Sequence, residues 1–506
     1  MDVLTDMTEF AQRAHAARSI RFDPPSAMRH APAAVVISAS CVAALWMATQ
    51  LLRRDEALGT PAYDQAFFQQ VVWNVDHGRG FISNFTPNSF LGLHFSPLLI
   101  VPAALEFVWA DPRMLTLVNT VSIALAAPAA FLFLRAAFSP SRAGPYLSAG
   151  LSAGLPFIPT MQEAARAGFH TEVMALPSAL VAGWAGLTRR PLIMWLTAAV
   201  ALAAKEDQVY SVAVIGLLIA VRGRPGMRRH GALLITLAVA WGVALFLVVM
   251  PALRGGADVD TGHYYRWLGT GPAALLAPVR EPAAVWAQIS NPSGWTAAFV
   301  LLACFLLLPL MRPRWTLLML PPLMANLLSS HHPQPELRLQ YGLLLVVPAL
   351  AAAAMGGRAA IAWVERSRYG RPHLLPPWKG VPPLLLGAVP AVALGAALGT
   401  LPPNGHASVV FMRQPGLSRL SAISSVIPPE APVAADNDVA APLSSRPKVM
   451  VLPSLCDDCY VVIDRVPSPS SFMSADQRSA LLAALHEARR LLADDGRFQV
   501  WSPIGG

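Results

Sequence analysis

Apolar stretches long enough to cross a membrane alternate with short polar corners from about residue 33 to residue 401, and that alternation then stops. A helix needs about 20 apolar residues to span a bilayer. Runs of this kind predict about eleven spans, at 33–52, 113–134, 144–160, 172–188, 191–204, 208–221, 231–252, 295–311, 315–329, 340–357 and 381–400. Residues 1–32 are polar and carry Arg13, Arg18, Arg21 and Arg29, so the first run reads as an uncleaved anchor rather than a signal peptide. Residues 402–506 change register. "APVAAD", "PKVMVLP", "CYVVID" and "RFQVWSP" read as short strands, and "SADQRSALLAALHEARRLLADDG" reads as an amphipathic helix with a Ser474/Gln477 capping box. The expected fold is mainly α, a polytopic transmembrane helical bundle over 33–401 with a small C-terminal α/β domain over 402–506.

Composition agrees: 506 residues that are 55% hydrophobic and 13% charged exclude a soluble protein of this length. A net charge of +9 could suggest nucleic acid, but its placement argues otherwise. Arginine concentrates in "RAAFSPSR", "TRRP", "VRGRPGMRRH", "MRPRW" and "RAAIAWVERSRYGRPH", which are corners between apolar runs. That is the positive-inside pattern, so the partner is the lipid bilayer and no nucleic acid is expected. The chain is then a multi-pass protein of the cell membrane, with a cytoplasmic N-terminal tail (1–32) and an extracytoplasmic C-terminal domain. This count requires "HFSPLLIVPAALEFVWA", within a large first outer loop (53–112), to lie at the outer interface without crossing. Between residues 30 and 400 it leaves only Glu365 among the carboxylates on the cytoplasmic side.

The outward-facing charges hold the candidate chemistry. Lys205, Glu206 and Asp207 stand side by side between two apolar runs, and ionisable groups at membrane depth are costly unless they serve a site. The chain has only three lysines, Lys205, Lys379 and Lys448, so an ammonium at 205 is a chemical choice rather than surplus charge. Three further outer segments supply acids, bases and cations: "PAYDQAFFQQVVWNVDHGRGF" with Asp64, "LGLHFSP" with His94, and "EAARAGFHTEVMALP" with His170 and Glu172. A fourth, "SSHHPQPELRLQYG", holds His331, Arg338 and Tyr341. Together they suit a transfer in which an alcohol is deprotonated and an anionic leaving group is neutralised. For each, solvation or helix capping is the plain alternative. Asp258 and Asp260 form a short "DVD" that could contribute to a divalent-metal site, and the cofactor is otherwise open. Cys456 and Cys459 of "CDDC" are candidates for a local disulfide outside the cytoplasm, whereas two cysteines alone make a poor metal site.

Tyr-Asp at the start of the first outer loop, "LGLHFSP", "FHTE" opening a span and "KED" closing the next resemble a bacterial and archaeal membrane family labelled domain of unknown function twenty seventy-nine. That family looks like a branch of the GT-C superfamily of glycosyltransferases that use polyprenyl-phosphate-linked sugars. The resemblance implies a GT-C-like bundle, with Asp64 as the catalytic base or a metal-site carboxylate. Many members carry an acidic pair there, while Gln65 follows Asp64 here. Lys205, Glu206, Asp207, His94, His170, Glu172, His331, Arg338 and Tyr341 become the candidate substrate-binding set. The expected partners are a polyprenyl-phosphate-linked sugar and a glycan, lipid or protein acceptor of the cell envelope. A transporter or flippase of a lipid-linked or anionic solute would use the same charges, and a non-catalytic scaffold is the third reading.

Overall fold

The first apolar run folds as helix α1 (Ser26–Glu56). The computed structural model describes residues 26–505 apart from 61, 87, 142, 257–259, 270–275, 371–380, 398–415 and 467–470. Most of the N-terminal tail and the proline-rich connector before residue 381 therefore lie outside the described residues. Among the described residues, four helical stretches are long and apolar enough to cross a membrane, His30–Glu56, Arg113–Phe138, Pro225–Arg254 and Leu339–Val364. They coincide with the expected spans at 33–52, 113–134, 231–252 and 340–357.

After α1 come α2 (Ala62–Asp76), α3 (Ile100–Glu106), α4 (Arg113–Phe138), α5 (Gly144–Gly154) and α6 (Pro159–Ala167). Next are α7 (Glu172–Leu187), α8 (Pro191–Ala204), α9 (Gln208–Arg222) and α10 (Pro225–Ala244). The helices α7, α8 and α9 have 16, 14 and 15 residues, shorter than a full crossing at about 1.5 Å per residue. The expected span at 144–160 is broken, because Pro156 and Pro159 cannot donate to a continuing ladder and the chain restarts as α6. The expected spans at 295–311 and 315–329 are also interrupted: Pro292–Cys304 is followed by Leu306 and Leu307, both with positive φ, and short turns lead to Leu320–Leu327. "HFSPLLIVPAALEFVWA" yields only a 3-10 turn and the seven-residue α3, far too short to cross. Its Phe107 and Val108 are exposed while Glu106 is buried.

Helix α4 packs against α1 and α7, α7 against α8, and α9 against α10. The α9–α10 contact is close because both sides are glycine there. A Cβ on Gly216 would stand 3.0 Å from the Gly231 carbonyl oxygen.

The C-terminal segment builds a five-stranded sheet from β1 (Val433–Ala435), β2 (Val449–Val451), β3 (Tyr460–Asp464), β4 (Leu491–Asp494) and β5 (Phe498–Trp501). The order is β2-β1-β3-β5-β4, with β1 parallel to β2 and β3 and the remaining pairs antiparallel. Its helix, Ala475–Ala488, has the expected capping box: Ser474 accepts from the Gln477 amide at 3.2 Å and Gln477 Oε1 accepts from the Ser474 amide at 2.9 Å. The helix stops short of "RRLLADDG". Arg489 turns extended and its guanidinium donates to the carbonyls of Cys456, Cys459 and Ser502, which frees Leu491–Asp494 to pair as strand β4.

This sheet sits on the segment between α1 and α4. Leu58 and Ala66 share a buried cluster with Val433, Val439 and Val500. The Asn84 carboxamide pairs with the free edge of β2, accepting from the Val449 amide at 2.8 Å and donating to its carbonyl at 2.6 Å. It thereby occupies backbone groups that an edge strand would otherwise expose.

Candidate functional site

Asp64 lies in the first turn of α2, where a carboxylate complements the helix N-terminus, and its side chain is 47% exposed. The next residue points the other way. Gln65 is buried, donates to the Pro112 carbonyl at 3.1 Å and accepts from the Phe169 amide at 3.2 Å. Gly168, at φ +92°, lets the chain make that approach, since a Cβ there would be strained and 3.3 Å from Gln65 Oε1. Gln65 therefore does a neutral structural job that a second carboxylate could not do, because only the amide both donates and accepts.

The loop so fixed carries His170. Its Nε2 lies 3.8 Å from Asp64 Oδ2, and its side chain is 7% exposed and edge-on to Phe68. The other ring nitrogen, Nδ1, lies 3.3 Å from the Gly168 carbonyl. A carbonyl only accepts, so Nδ1 donates to Gly168 and Nε2 is the ring nitrogen that faces Asp64.

The three charges at 205–207 separate in space. Lys205 ends α8 with an extended backbone and forms an ion pair with Glu172, the first residue of α7. Its ammonium is also 3.8 Å from Asp207. Glu206 turns to the "LGLHFSP" loop, holding His94 Nδ1 at 3.0 Å and accepting from the Phe95 amide at 2.9 Å. Ser96 and Thr171 meet at 3.2 Å, tying the same loop to the start of α7. Glu172 and Asp207 share the one ammonium, and Glu206 belongs to His94. Lys205 thus meets carboxylates of its own corner and of α7, while the partner that reaches Asp64 is His170.

Tyr341 closes the group from another side, its hydroxyl within electrostatic reach of Asp64, Glu172 and Lys205. His331 stacks on Tyr264 at 4.5 Å and meets Tyr341 edge-on at 5.8 Å. Arg338 is half-exposed and 3.6 Å from Glu336. Glu163, paired with Arg166, accepts from the Leu339 amide at 3.2 Å and so anchors this segment to α6. The structure therefore gathers Asp64, His170, Glu172, Lys205, Asp207 and Tyr341, with His94 and Glu206 adjoining. Gln65, Gly168 and Glu163 are the supporting residues that the sequence left without a role. The glycine inside "RAGFH" was the one readable signal among them.

An apolar cavity of about 480 Å³ runs between α8 and α10, lined by Trp195, Leu202, Leu234 and Trp241 among others. Trp241 meets Phe95 at 5.6 Å, which puts one wall of this cavity beside the His94 loop.

Of the metal candidates, Asp258 lies outside the described residues, and Asp260 opens a 3-10 helix but its side chain does too. Among the described residues, the group of three metal-type ligands within 4.8 Å of one another is Cys456, Asp458 and Cys459. Cys456 and Cys459 are joined as a disulfide, so their sulfurs are already bonded. Among the described residues, those around Asp64 supply no such triad.

Solved structures similar to this chain include two of one protein. One is ArnT from Cupriavidus metallidurans bound to undecaprenyl phosphate, at 15% identity and TM-score 0.49, covering 91% of this chain and 98% of that one. The other is the same protein in the apo state, at 16% identity and TM-score 0.46, covering 90% and 97%. No curated protein matches the sequence. Residues 54–498, which span every site residue described above, match the family described as predicted membrane protein (DUF2079), and the chain belongs to that family.

Proposed function

We propose that the chain is an integral-membrane glycosyltransferase that moves a sugar from a polyprenyl-phosphate donor to a hydroxyl-bearing acceptor at the outer face of the membrane. The observation that carries this reading is the half-exposed Asp64 backed by the buried His170, at the same end as the Glu172–Lys205 pair. The donor class follows the GT-C resemblance of the sequence motifs.

In the proposed step the acceptor hydroxyl attacks the anomeric carbon. A new carbon–oxygen bond forms, the bond from that carbon to the phosphate oxygen breaks, and polyprenyl phosphate leaves with the bonding pair. Asp64 takes the hydroxyl proton, and His170 Nε2 is placed to receive it from Asp64. Arg338, half-exposed and 3.6 Å from Glu336, is the cation offered to the departing phosphate. Lys205 acts as a positioning residue: it holds Glu172 and Asp207, and the second oxygen of Glu172 suits a sugar hydroxyl. Glu172 Oε2 has no hydrogen-bond partner among the described residues and is buried, as a ligand-facing acceptor would be. The apolar cavity between α8 and α10 would take isoprenoid units.

The test is transfer from a radiolabelled polyprenyl-phosphate sugar by protein purified in detergent. Asp64→Asn is expected to lose about 10²–10⁴-fold of the rate with an unchanged thermal melt, since the residue is half-exposed. Undiminished transfer by that variant removes Asp64 from the chemistry and overturns the reading.

A further inference from the structure

The end of the bundle away from this site holds a second charged feature. Helix α9 starts at Gln208 beside the 205–207 corner and runs for 15 residues to Arg222, about 20 Å away at about 1.5 Å per residue. There Arg222, Arg312, Arg314, Arg358 and Arg366 line one cavity of about 730 Å³. They come from three separate parts of the chain: the end of α9, the break after Leu307, and the helix α11 (Val346–Gly370). The described lining contains no carboxylate, and its remaining wall is apolar, with Trp315, Met355 and Ala359.

Among the described residues, the arrangement carries no compensating carboxylate. Arg358 donates to the carbonyls of Ala137 and Ser139 at 2.7 and 2.9 Å, so its guanidinium is fixed at the C-terminal end of α4. Arg222 is near enough to Arg358 for their charges to repel. None of the five forms an ion pair with a described carboxylate, and the segments that supply them contain one acid between them, Glu365. Arginine in corners is what membrane topology asks for, but topology does not require five guanidinium groups to converge on one cavity. Convergence costs repulsion, which a bound anion relieves. A planar donor fork suits phosphate oxygens, and the apolar wall suits hydrocarbon.

We propose that this cavity binds the phosphate head group of an anionic phospholipid from the leaflet at that end, with acyl chain against Met355, Ala359 and Trp315. The inference does not depend on the proposed glycosyl transfer. A free phosphate would satisfy the guanidinium groups but not the apolar wall, so the two sources are separable.

The experiment measures thermal stabilisation and apparent affinity in detergent with phosphatidylglycerol, phosphatidylcholine or inorganic phosphate added. Phosphatidylglycerol is expected to stabilise the protein, with phosphatidylcholine and phosphate giving no comparable shift. Arg312→Ala/Arg314→Ala, at two exposed positions, is expected to weaken phosphatidylglycerol by about tenfold or more. Arg189→Ala/Arg190→Ala removes equal charge from a corner that does not line the cavity and is expected to leave it unchanged. An equal loss in both double variants would show diffuse surface attraction and overturn the site. An equal shift from inorganic phosphate would overturn the lipid assignment, and an undiminished phosphatidylglycerol effect in Arg312→Ala/Arg314→Ala would overturn both.

Discussion

Replacing Lys205 should damage the fold before it damages binding. The side chain is 15% exposed and its ion-pair partner Glu172 is 7% exposed, so removal strands a carboxylate whose Oε2 already lacks a partner. At 3.8 Å the second pair, Lys205–Asp207, is worth about 4 kcal/mol at an effective dielectric of about 20, before desolvation is subtracted. Breaking a buried pair by removing one member costs about 3–5 kcal/mol, because the other charge stays buried. Lys205→Met is therefore expected to lose about 3 kcal/mol or more. Glu172→Gln in the same chain should recover about 2 kcal/mol of it, since the amide removes the stranded charge. The assay is equilibrium unfolding in detergent micelles by tryptophan fluorescence, run as a double-mutant cycle with donor binding measured alongside. If Lys205→Met unfolds within about 0.5 kcal/mol of wild type while donor binding collapses, Lys205 is a ligand-binding cation and the positioning role is wrong. Additive effects in the cycle would likewise refute the pairing.

The His170 relay predicts that His170→Gln slows transfer by about 10²-fold and alters the pH profile of the rate, whereas a purely structural histidine would change only the melt. Gly168→Ala should destabilise by about 1 kcal/mol or more and reduce transfer, because φ +92° is strained for alanine and the new Cβ meets Gln65. Asn84→Ala should expose the β2 edge, costing about 1–3 kcal/mol and speeding hydrogen exchange at the Val449 amide. Glu106, buried between the Gln69 amide at 2.8 Å and Ser445, has its carboxyl pushed above the usual range by burial. A raised folded value means that its contribution to stability is complete below the ordinary glutamate range and is lost as pH rises through the folded value. Melting temperature should therefore fall over that window, and Glu106→Gln should flatten that fall; an unchanged slope in the variant would refute it.

What could be read from the chain was whatever accumulates locally. Apolar content adds residue by residue, so long runs such as 113–134 declare a helix of crossing length without reference to anything else. Capping and alternation are equally local, which is why Ser474/Gln477 and four of the five strands were legible. Strand β4 was not, because it depends on Arg489 reaching three carbonyls that are distant in sequence. The interrupted spans had visible prolines at 156 and 159, and there the hydropathy of the run outweighed a backbone signal that was present.

Charge partners are a different kind of quantity. That residues 205–207 mark a special corner follows from composition, since three ionisable groups seldom interrupt apolar sequence. Which carboxylate meets which cation does not, because Coulomb energy and hydrogen-bond geometry depend on separations of a few ångströms between segments that the sequence leaves unplaced. Tertiary structure alone gives Lys205 to Glu172, His94 to Glu206 and His170 to Asp64, and it turns Gln65 inward. The same holds at the other end, where arginines that the sequence scattered through separate corners share one cavity only after α9 and α11 have packed. Burial is decided by amounts that sum along the chain, whereas a site is decided by distances across it.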